Sequence, residues 1–405
     1  PMWLERASGG ICQNLDPWMA GAEGVRELAA GNGLLVVETA MGLYDGIRSD
    51  SDEGSGFEVS RILELPVLLV VDASGSARTV AAVVEGMAEF GPAAVAGVVA
   101  NRVGSAAHAD LVGRALASKG LPPLVGYVME GALPAMPERH LGLVPPGGDD
   151  GIVDRLADAV EATVDLDLVR GLTRPLPSAR KTESVNKDGE GLRLGLSWDE
   201  AFRFAYAPVI DRLRARGVEI VRFSPLAEGS LPPDLDGLWI CGGYPEVNAA
   251  ALEANRDMRE SVSGFCRTGN PVLAECGGLL YLATEIVDHA GVRHAMCGVV
   301  PAIGRMGDRL RSLGYRTATA REDLFVAARG ASLRGHEFHY GTLEGRRDGI
   351  WRHAFDLEGS RGTIGPEGWW NGSVLATWFH GWLRAGNSLD RWIAAMREAR
   401  ARRME

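Results

Sequence analysis

Lysine is nearly missing from this sequence. Its 405 residues hold it only at positions 119, 181 and 187, so arginine supplies almost all of the positive charge. None of the three stands in a Gly-x-x-x-x-Gly-Lys-Ser/Thr stretch, so the sequence has no phosphate-cradling loop of that kind. Cysteine is scarce as well. Cys12, Cys241, Cys266, Cys276 and Cys297 are odd in number, widely spaced and free of any Cys-x-x-Cys pair. That excludes a disulfide framework and a zinc knuckle, and it fits a reducing cytoplasm. Long apolar runs are absent: Leu65 to Val71 and Ala93 to Ala100 fall well short of the roughly 18 residues a membrane helix needs. Pro1 to Arg6 shows no basic region followed by an apolar one, so no secretory signal is expected. Positive charge is not in excess either. With 42 Lys+Arg against 53 Asp+Glu the formal charge is -11, and no basic cluster breaks the pattern, so neither nucleic acid nor a membrane is an expected partner.

What is present is ordinary globular composition, 46% hydrophobic, and length for two or three domains at roughly 150 residues each. From Gly33 to Val144, short apolar runs (Leu34 to Val37, Val67 to Val71, Val95 to Ala100, Leu124 to Val128) alternate with helix-length stretches. Runs without a polar side are those of parallel strands covered on both faces, so an α/β domain is expected, with the first two runs as inner strands. A helix is expected over Ile152 to Val164. Arg170 to Glu190 is polar, Pro-bearing and aperiodic, which reads as a linker. A second α/β rhythm starts at Leu192: Leu192 to Leu196, a helix over Asp199 to Arg216, Val218 to Phe223, Leu238 to Ile240, a helix over Ala250 to Cys266, and Val272 to Ala274. The expected organisation is a domain of residues 1–168, a linker of 169–191 and a domain of 192–405.

The sharpest motif lies in the second domain. Pro271-Val-Leu-Ala-Glu-Cys276-Gly-Gly-Leu-Leu-Tyr281 runs an apolar strand into a cysteine flanked by glycine and then into a helix-like stretch. Such a turn exposes its side chain at the sheet's carboxyl edge, and a helix N-terminus favours thiolate over thiol. Cys276 is thus a candidate nucleophile, although most lone cysteines are buried structural residues and spacing alone leaves the two readings about even. Gly242-Gly243 follows the Leu238 to Ile240 run, where paired glycines let backbone N–H groups turn toward an oxyanion; a strand-ending Gly-Gly is more often only a turn. Val374-Leu-Ala-Thr-Trp-Phe-His380 delivers a histidine at a strand end, where a general base for a thiol is needed, and where a lone histidine is more often structural.

Together, Gly242-Gly-Tyr-Pro-Glu246, Ala274-Glu-Cys-Gly-Gly-Leu-Leu-Tyr281, Arg334-Gly-His-Glu-Phe-His-Tyr340 and Thr377 to Gly381 resemble the glutaminase domain of the cobyrinate (or hydrogenobyrinate) a,c-diamide synthases, relatives of cobyric acid synthase. The first half agrees. Asn14-Leu-Asp-Pro-Trp-Met19, Val37-Glu-Thr-Ala-Met-Gly-Leu-Tyr-Asp-Gly46, Val71-Asp-Ala-Ser-Gly75, Asn101-Arg-Val-Gly104 and Met136 to Val144 are similar to the family's synthetase domain. The resemblance implies a dethiobiotin-synthetase-like, P-loop-type α/β domain, incomplete here, joined to a class I glutamine amidotransferase-like α/β domain. It implies ATP- and Mg²⁺-dependent amidation of the a and c side-chain carboxylates of a corrin-type tetrapyrrole, with ammonia from glutamine, in a cytoplasmic protein that forms a homodimer. Cys276 would form a γ-glutamyl thioester with His380 as base, and Gly242, Gly243 and Gly277 would make the oxyanion and glutamine loop. Where triad amidotransferases carry a Glu two residues after the His, this chain has Trp382, so a Cys/His dyad oriented by something else is expected. The runners-up are amidation of sirohydrochlorin-type rings (sirohaem amide or nickel-sirohydrochlorin), and a glutaminase or tetrapyrrole-binding protein without an ATP step.

In the first domain, Glu38 ends an expected strand and Asp45 follows seven residues later across Met41-Gly42, which would put two carboxylates at the sheet's carboxyl edge, where α/β proteins bind ligands. By resemblance Glu38 would hold Mg²⁺ and Asp45 would lie near the nucleotide or the reacting carboxylate; without it they read as solvated loop acids. Asn101 is a candidate for the adenine edge or else a helix N-cap. His336 and His339 are spaced i, i+3 in extended context, which points them to opposite faces and against a metal site; together with Tyr340 and His140 they are candidates for substrate contact. The family's first strand, phosphate loop and helix have no counterpart, so the native gene product is expected to carry about 30 to 40 further residues before Pro1.

Overall fold

The computed structural model describes residues 2–10, 12–31, 33–136, 138–139, 142–143, 151–177 and 186–405. They fall into two compact units, one of residues 1–17 and 21–181 and one of 18–20 and 182–405.

The first unit is built on three parallel strands in chain order, Val67–Asp72, Val95–Val103 and Leu124–Met129. The helices Arg78–Phe90 and Ala106–Ser118 follow the first two strands and bury Val80, Val84, Val112 and Leu116 with Val98. Ser105, not Asn101, caps the second helix, accepting the His108 N–H at 3.2 Å. Two expectations are corrected. Leu34 to Val37 is no strand, and Leu34 and Val36 stand 66% and 81% exposed. Val67–Asp72 is an edge strand with Leu68 and Val70 exposed, not an inner one. The cause is related in the two: an apolar run becomes a buried strand only where neighbours take up its backbone N–H and C=O groups, and among the described residues Leu34 to Val37 has no such neighbour while Val67–Asp72 has one, Val95–Val103, on one side alone. The expected 152–164 helix spans Ile152–Glu161, and a further helix, Leu166–Gly171, capped by Asp165, runs into the stretch read as linker.

The second unit has a six-stranded sheet ordered Trp369–Trp370, Val374–Thr377, Val272–Glu275, Gly237–Ile240, Arg193–Ser197, Glu219–Phe223. All pairs are parallel except the first. The four central strands are buried throughout or nearly so, as their largely apolar sequences dictate. Two expected helices are broken. The Asp199 to Arg216 helix begins only at Ala207, because Phe202–Phe204 pairs antiparallel with Gly242–Gly243 and Pro208 sits in the first helical turn. The Ala250 to Cys266 helix is two, Ala249–Ala254 and Arg256–Arg267, divided at Asn255, whose side chain caps the second by accepting the Met258 N–H.

Residues 276 to 373 fill the interval between two strands that are neighbours in this sheet. They supply most of an antiparallel five-stranded sheet ordered Gly362–Glu367, Phe355–Gly359, Ser312–Ala320, Ser332–His339, His380–Gly381. The chain that leaves the parallel sheet at Thr377 thus joins the antiparallel sheet at His380. No helix among the described residues is long and apolar enough to cross a membrane.

Candidate active site

Cys276 stands directly after the central strand Val272–Glu275 and before the helix Gly277–Leu282, with φ 49° and ψ −100°. A positive φ at a non-glycine residue is strained backbone of the kind that collects at functional turns. The Cys276 N–H donates to Thr377 O at 2.7 Å, fixing the turn to the end of the adjacent strand. Its thiol faces the Phe338 carbonyl, Sγ to O 3.9 Å.

The glycines explain how the pieces come together. A Cβ on Gly277 would lie 2.8 Å from Pro245 Cδ and 2.9 Å from Gly243 N, so the cysteine turn packs directly on the Gly242–Gly243 strand. A Cβ on Gly242 would lie 2.5 Å from His380 Cε1, so the same strand packs on the histidine. A Cβ on Gly243 would be driven into the Ala201 carbonyl oxygen, and one on Gly278 into that of Ile240. Cys276, His380, Gly242, Gly243 and Gly277, dispersed over the sequence, are therefore one cluster.

His380 is buried, and its ring stacks on that of His336 with centroids 4.8 Å apart and planes 9° from parallel. His336 is its direct cross-strand partner. The Tyr206 hydroxyl lies 2.7 Å from His336 Nδ1, and the Tyr206 ring meets Trp382, the residue at the position of a triad acid, edge to face at 5.2 Å. His339 lies on the other face of its strand, as its spacing required. It stacks on Trp378 at 4.1 Å and donates from Nδ1 to Gly341 O at 2.8 Å. Glu337, on the same face as His339, is buried and ion-paired to Arg316 at 2.7 Å. Tyr340 packs edge to face on Phe338 at 6.2 Å.

Burial sets the protonation of the site. It pushes the Cys276 thiol up, with the carboxylate of Glu246 adding to the effect, against the helix-terminal lowering expected from sequence; the Gly277 N–H opposes it and is outweighed. Burial also holds His380 well below its ordinary value, with His336 and His339 acting in the same direction. The resting pair is thus neutral thiol and neutral imidazole. A buried carboxyl, Glu275, and a half-buried one, Glu367, frame it. Glu275 accepts Trp239 Nε1–H at 2.9 Å and the Gly381 N–H at 3.1 Å; Glu367 accepts the Thr377 hydroxyl at 2.5 Å and the Trp378 N–H at 2.8 Å. Burial pushes both up to about 7.

Tyr206, Glu275 and Glu367 were not found by sequence reasoning. Glu275 had a signal, a charged residue ending an apolar strand one position before the nucleophile. Tyr206 and Glu367 had none, since their partners are remote in the chain.

Glu38, Asp45 and Asn101 belong to the first unit. Glu38 is exposed; burial, with the carboxylates of Glu5 and Glu38, pushes the Cys12 thiol up. Asp45 accepts the Gly42 N–H at 3.1 Å, and Asn101 accepts the Arg102 N–H at 3.0 Å. No group of three or more His, Cys, Asp and Glu side chains that could hold a metal occurs among the described residues. Magnesium carried on nucleotide phosphates needs only one or two protein carboxylates, and the exposed carboxylate of Glu38 is chemically suited to that role. His140 lies outside the described residues.

Residues 194–388 match the CobB/CobQ-like glutamine amidotransferase domain family. The cobyrinate a,c-diamide synthase of Syntrophotalea carbinolica is 40% identical over 393 residues, 94% of this chain and 85% of that protein. The hydrogenobyrinate a,c-diamide synthase of Mesorhizobium japonicum is 39% identical over 396 residues, 95% and 89% of the two chains. The chain belongs to the cobyrinate and hydrogenobyrinate a,c-diamide synthase family. The cysteine turn, the glycine strand and the histidine all lie within the residues that match the amidotransferase domain family. In this a,c-diamide synthase relative, the interval that builds the antiparallel sheet supplies His336, which lies against His380.

Proposed function

We propose that this protein amidates the a and c side-chain carboxylates of cobyrinate or hydrogenobyrinate, using ammonia that Cys276 releases from glutamine. The observation that carries the reading is the packing of Gly242–Gly243 against both the Cys276–Gly277 turn and His380. Cys276 Sγ attacks the glutamine γ-carboxamide carbon while His380 takes the thiol proton, so the charged pair exists only as the carbon–sulfur bond forms. Backbone N–H groups of the glycine strand and of Gly277 stabilise the oxyanion. His380 returns its proton to the leaving nitrogen, and its lowered pKa makes it the stronger acid for that step. Ammonia departs, leaving a γ-glutamyl thioester, which water hydrolyses to glutamate and free thiol.

A carboxylate does not accept ammonia unaided. ATP supplies the phosphoryl group that makes the carboxylate an electrophile, and ammonia displaces phosphate to give the amide. Glu38 would help hold the accompanying Mg²⁺, with Asp45 and Asn101 toward the nucleotide. His339, Tyr340 and His140 remain proposed substrate contacts.

Cys276→Ser tests the reading. Glutamine-dependent amidation of hydrogenobyrinate should fall by on the order of a thousandfold or more, while amidation with added ammonium stays near the parental rate. Full glutaminase turnover in that variant would remove Cys276 as nucleophile.

A further inference from the structure

An imidazole serves as a base for a thiol only when its ring is held in one orientation, and in full triads an acid does this through the second ring nitrogen. Here the acid's place is taken by buried, apolar Trp382. Four observations show what holds the ring instead. His336 faces His380 directly across two paired strands, and the two rings lie 4.8 Å apart and 9° from parallel. His336 is itself pinned by the Tyr206 hydroxyl at 2.7 Å from Nδ1. Tyr206, the residue preceding the helix Ala207–Ala215, is braced edge to face against Trp382. The Gly242 Cα closes the Cε1 edge of His380.

We propose that His336, pinned by Tyr206, is the positioning residue of the Cys276–His380 pair, orienting the base by ring stacking in place of a carboxylate. The proposal rests on the reading of Cys276 and His380 as nucleophile and base.

A stacked ring differs from an acid in its electrostatic effect. A carboxylate raises the basicity of its imidazole, whereas a neutral ring at van der Waals distance excludes water without supplying charge. His336 must be neutral for this, since two imidazolium rings so close repel. Burial holds it down at about 4, although Glu337 favours its charged form; Arg316 disfavours that form. The charged and titratable groups around the stacked pair are therefore Glu337 and His339 on the His336 strand, Arg316 on Ser312–Ala320 and Tyr206 at the helix start, with His339 and His336 both disfavouring the charged form of His380. The resulting base is weak, and as an acid it is strong. That suits expulsion of ammonia, a leaving group that departs only when protonated.

The test combines glutaminase kinetics with an NMR pH titration of the His380 ring, in the unaltered protein, His336→Ala, His336→Phe and Tyr206→Phe. In His336→Ala the His380 titration should move upward by about one pH unit as water reaches the ring, and kcat for glutamine hydrolysis should fall about tenfold or more with KM kept within about twofold. His336→Phe, which keeps a flat neutral ring, should recover most of kcat, and Tyr206→Phe should fall between. A raised KM with unchanged kcat in His336→Ala would make His336 a glutamine contact and overturn the proposal, as would an unmoved His380 titration. Should His336→Ala fail to fold, the other two carry the test: a kcat lower in His336→Phe than in Tyr206→Phe overturns it. If the unaltered protein has no Cys276-dependent glutaminase, the functional reading fails, and the titration still decides whether His336 sets the state of His380.

Discussion

Glu275 is buried one residue before the nucleophile and accepts hydrogen bonds from Trp239 and Gly381, so it ties the central strand to the strand that carries His380. Burial holds its carboxyl up at about 7, against those two bonds, which favour the anion. The folded chain therefore keeps a proton that the unfolded chain releases near the ordinary glutamate value of about 4.3. By linkage, stability drawn from this residue is full below that value and is lost as pH rises through about 7. Glu275→Gln removes this dependence. Measured by urea unfolding, the variant should gain about 2 kcal/mol relative to its parent between pH 5 and pH 8. A difference that does not change with pH would mean that Glu275 is ionised in the fold throughout. Glu367 has the same direction and cause, so Glu367→Gln should behave alike.

At the scale of elements, the two glycines that meet backbone carbonyls differ from the one that meets a side chain. Gly278→Ala drives a methyl group into the Ile240 carbonyl, which cannot give way, and should cost on the order of 2 kcal/mol or more by thermal unfolding. Gly242→Ala meets the movable ring of His380, so it should cost less stability while glutaminase turnover falls at least about tenfold. Equal stability losses with parental turnover in Gly242→Ala would disconnect that glycine from the base. Elements whose pattern is local were legible from sequence. Val272–Glu275 matched its apolar run, and the run from Val374 is a strand as far as Thr377, with His380 opening the separate strand that follows. Phe202–Phe204 was not, because its strand character comes from pairing with glycines about forty residues away rather than from its own periodicity. Leu34 to Val37 failed for the opposite reason, a strand-like run without a partner. The cluster was legible in Cys276, Gly242, Gly243 and His380, each at or just after the end of a patterned segment. The stacking of His336 on His380 was not, since cross-strand register depends on the whole antiparallel sheet.

At the scale of the molecule, the proposed function places two chemistries in two units, and nitrogen source separates them. Glu38→Gln should lower amidation severalfold with glutamine and with ammonium alike at limiting Mg²⁺, whereas Cys276→Ser should lower it only with glutamine. Parental ammonium-dependent activity in Glu38→Gln would remove that residue from the metal role. The order of the central sheet has a temporal consequence. Val272–Glu275 and Val374–Thr377 are hydrogen-bonded neighbours, yet residues 276 to 373 separate them in the sequence, so that whole interval must be looped out for the pair to form. Closing so long an interval carries an entropic cost that shorter β-α-β closures do not, and it sets the slow end of refolding. In a stopped-flow experiment, helical far-UV signal should return first and glutaminase last. Accelerated unfolding of the antiparallel sheet would silence the enzyme while most of the parallel sheet was still intact.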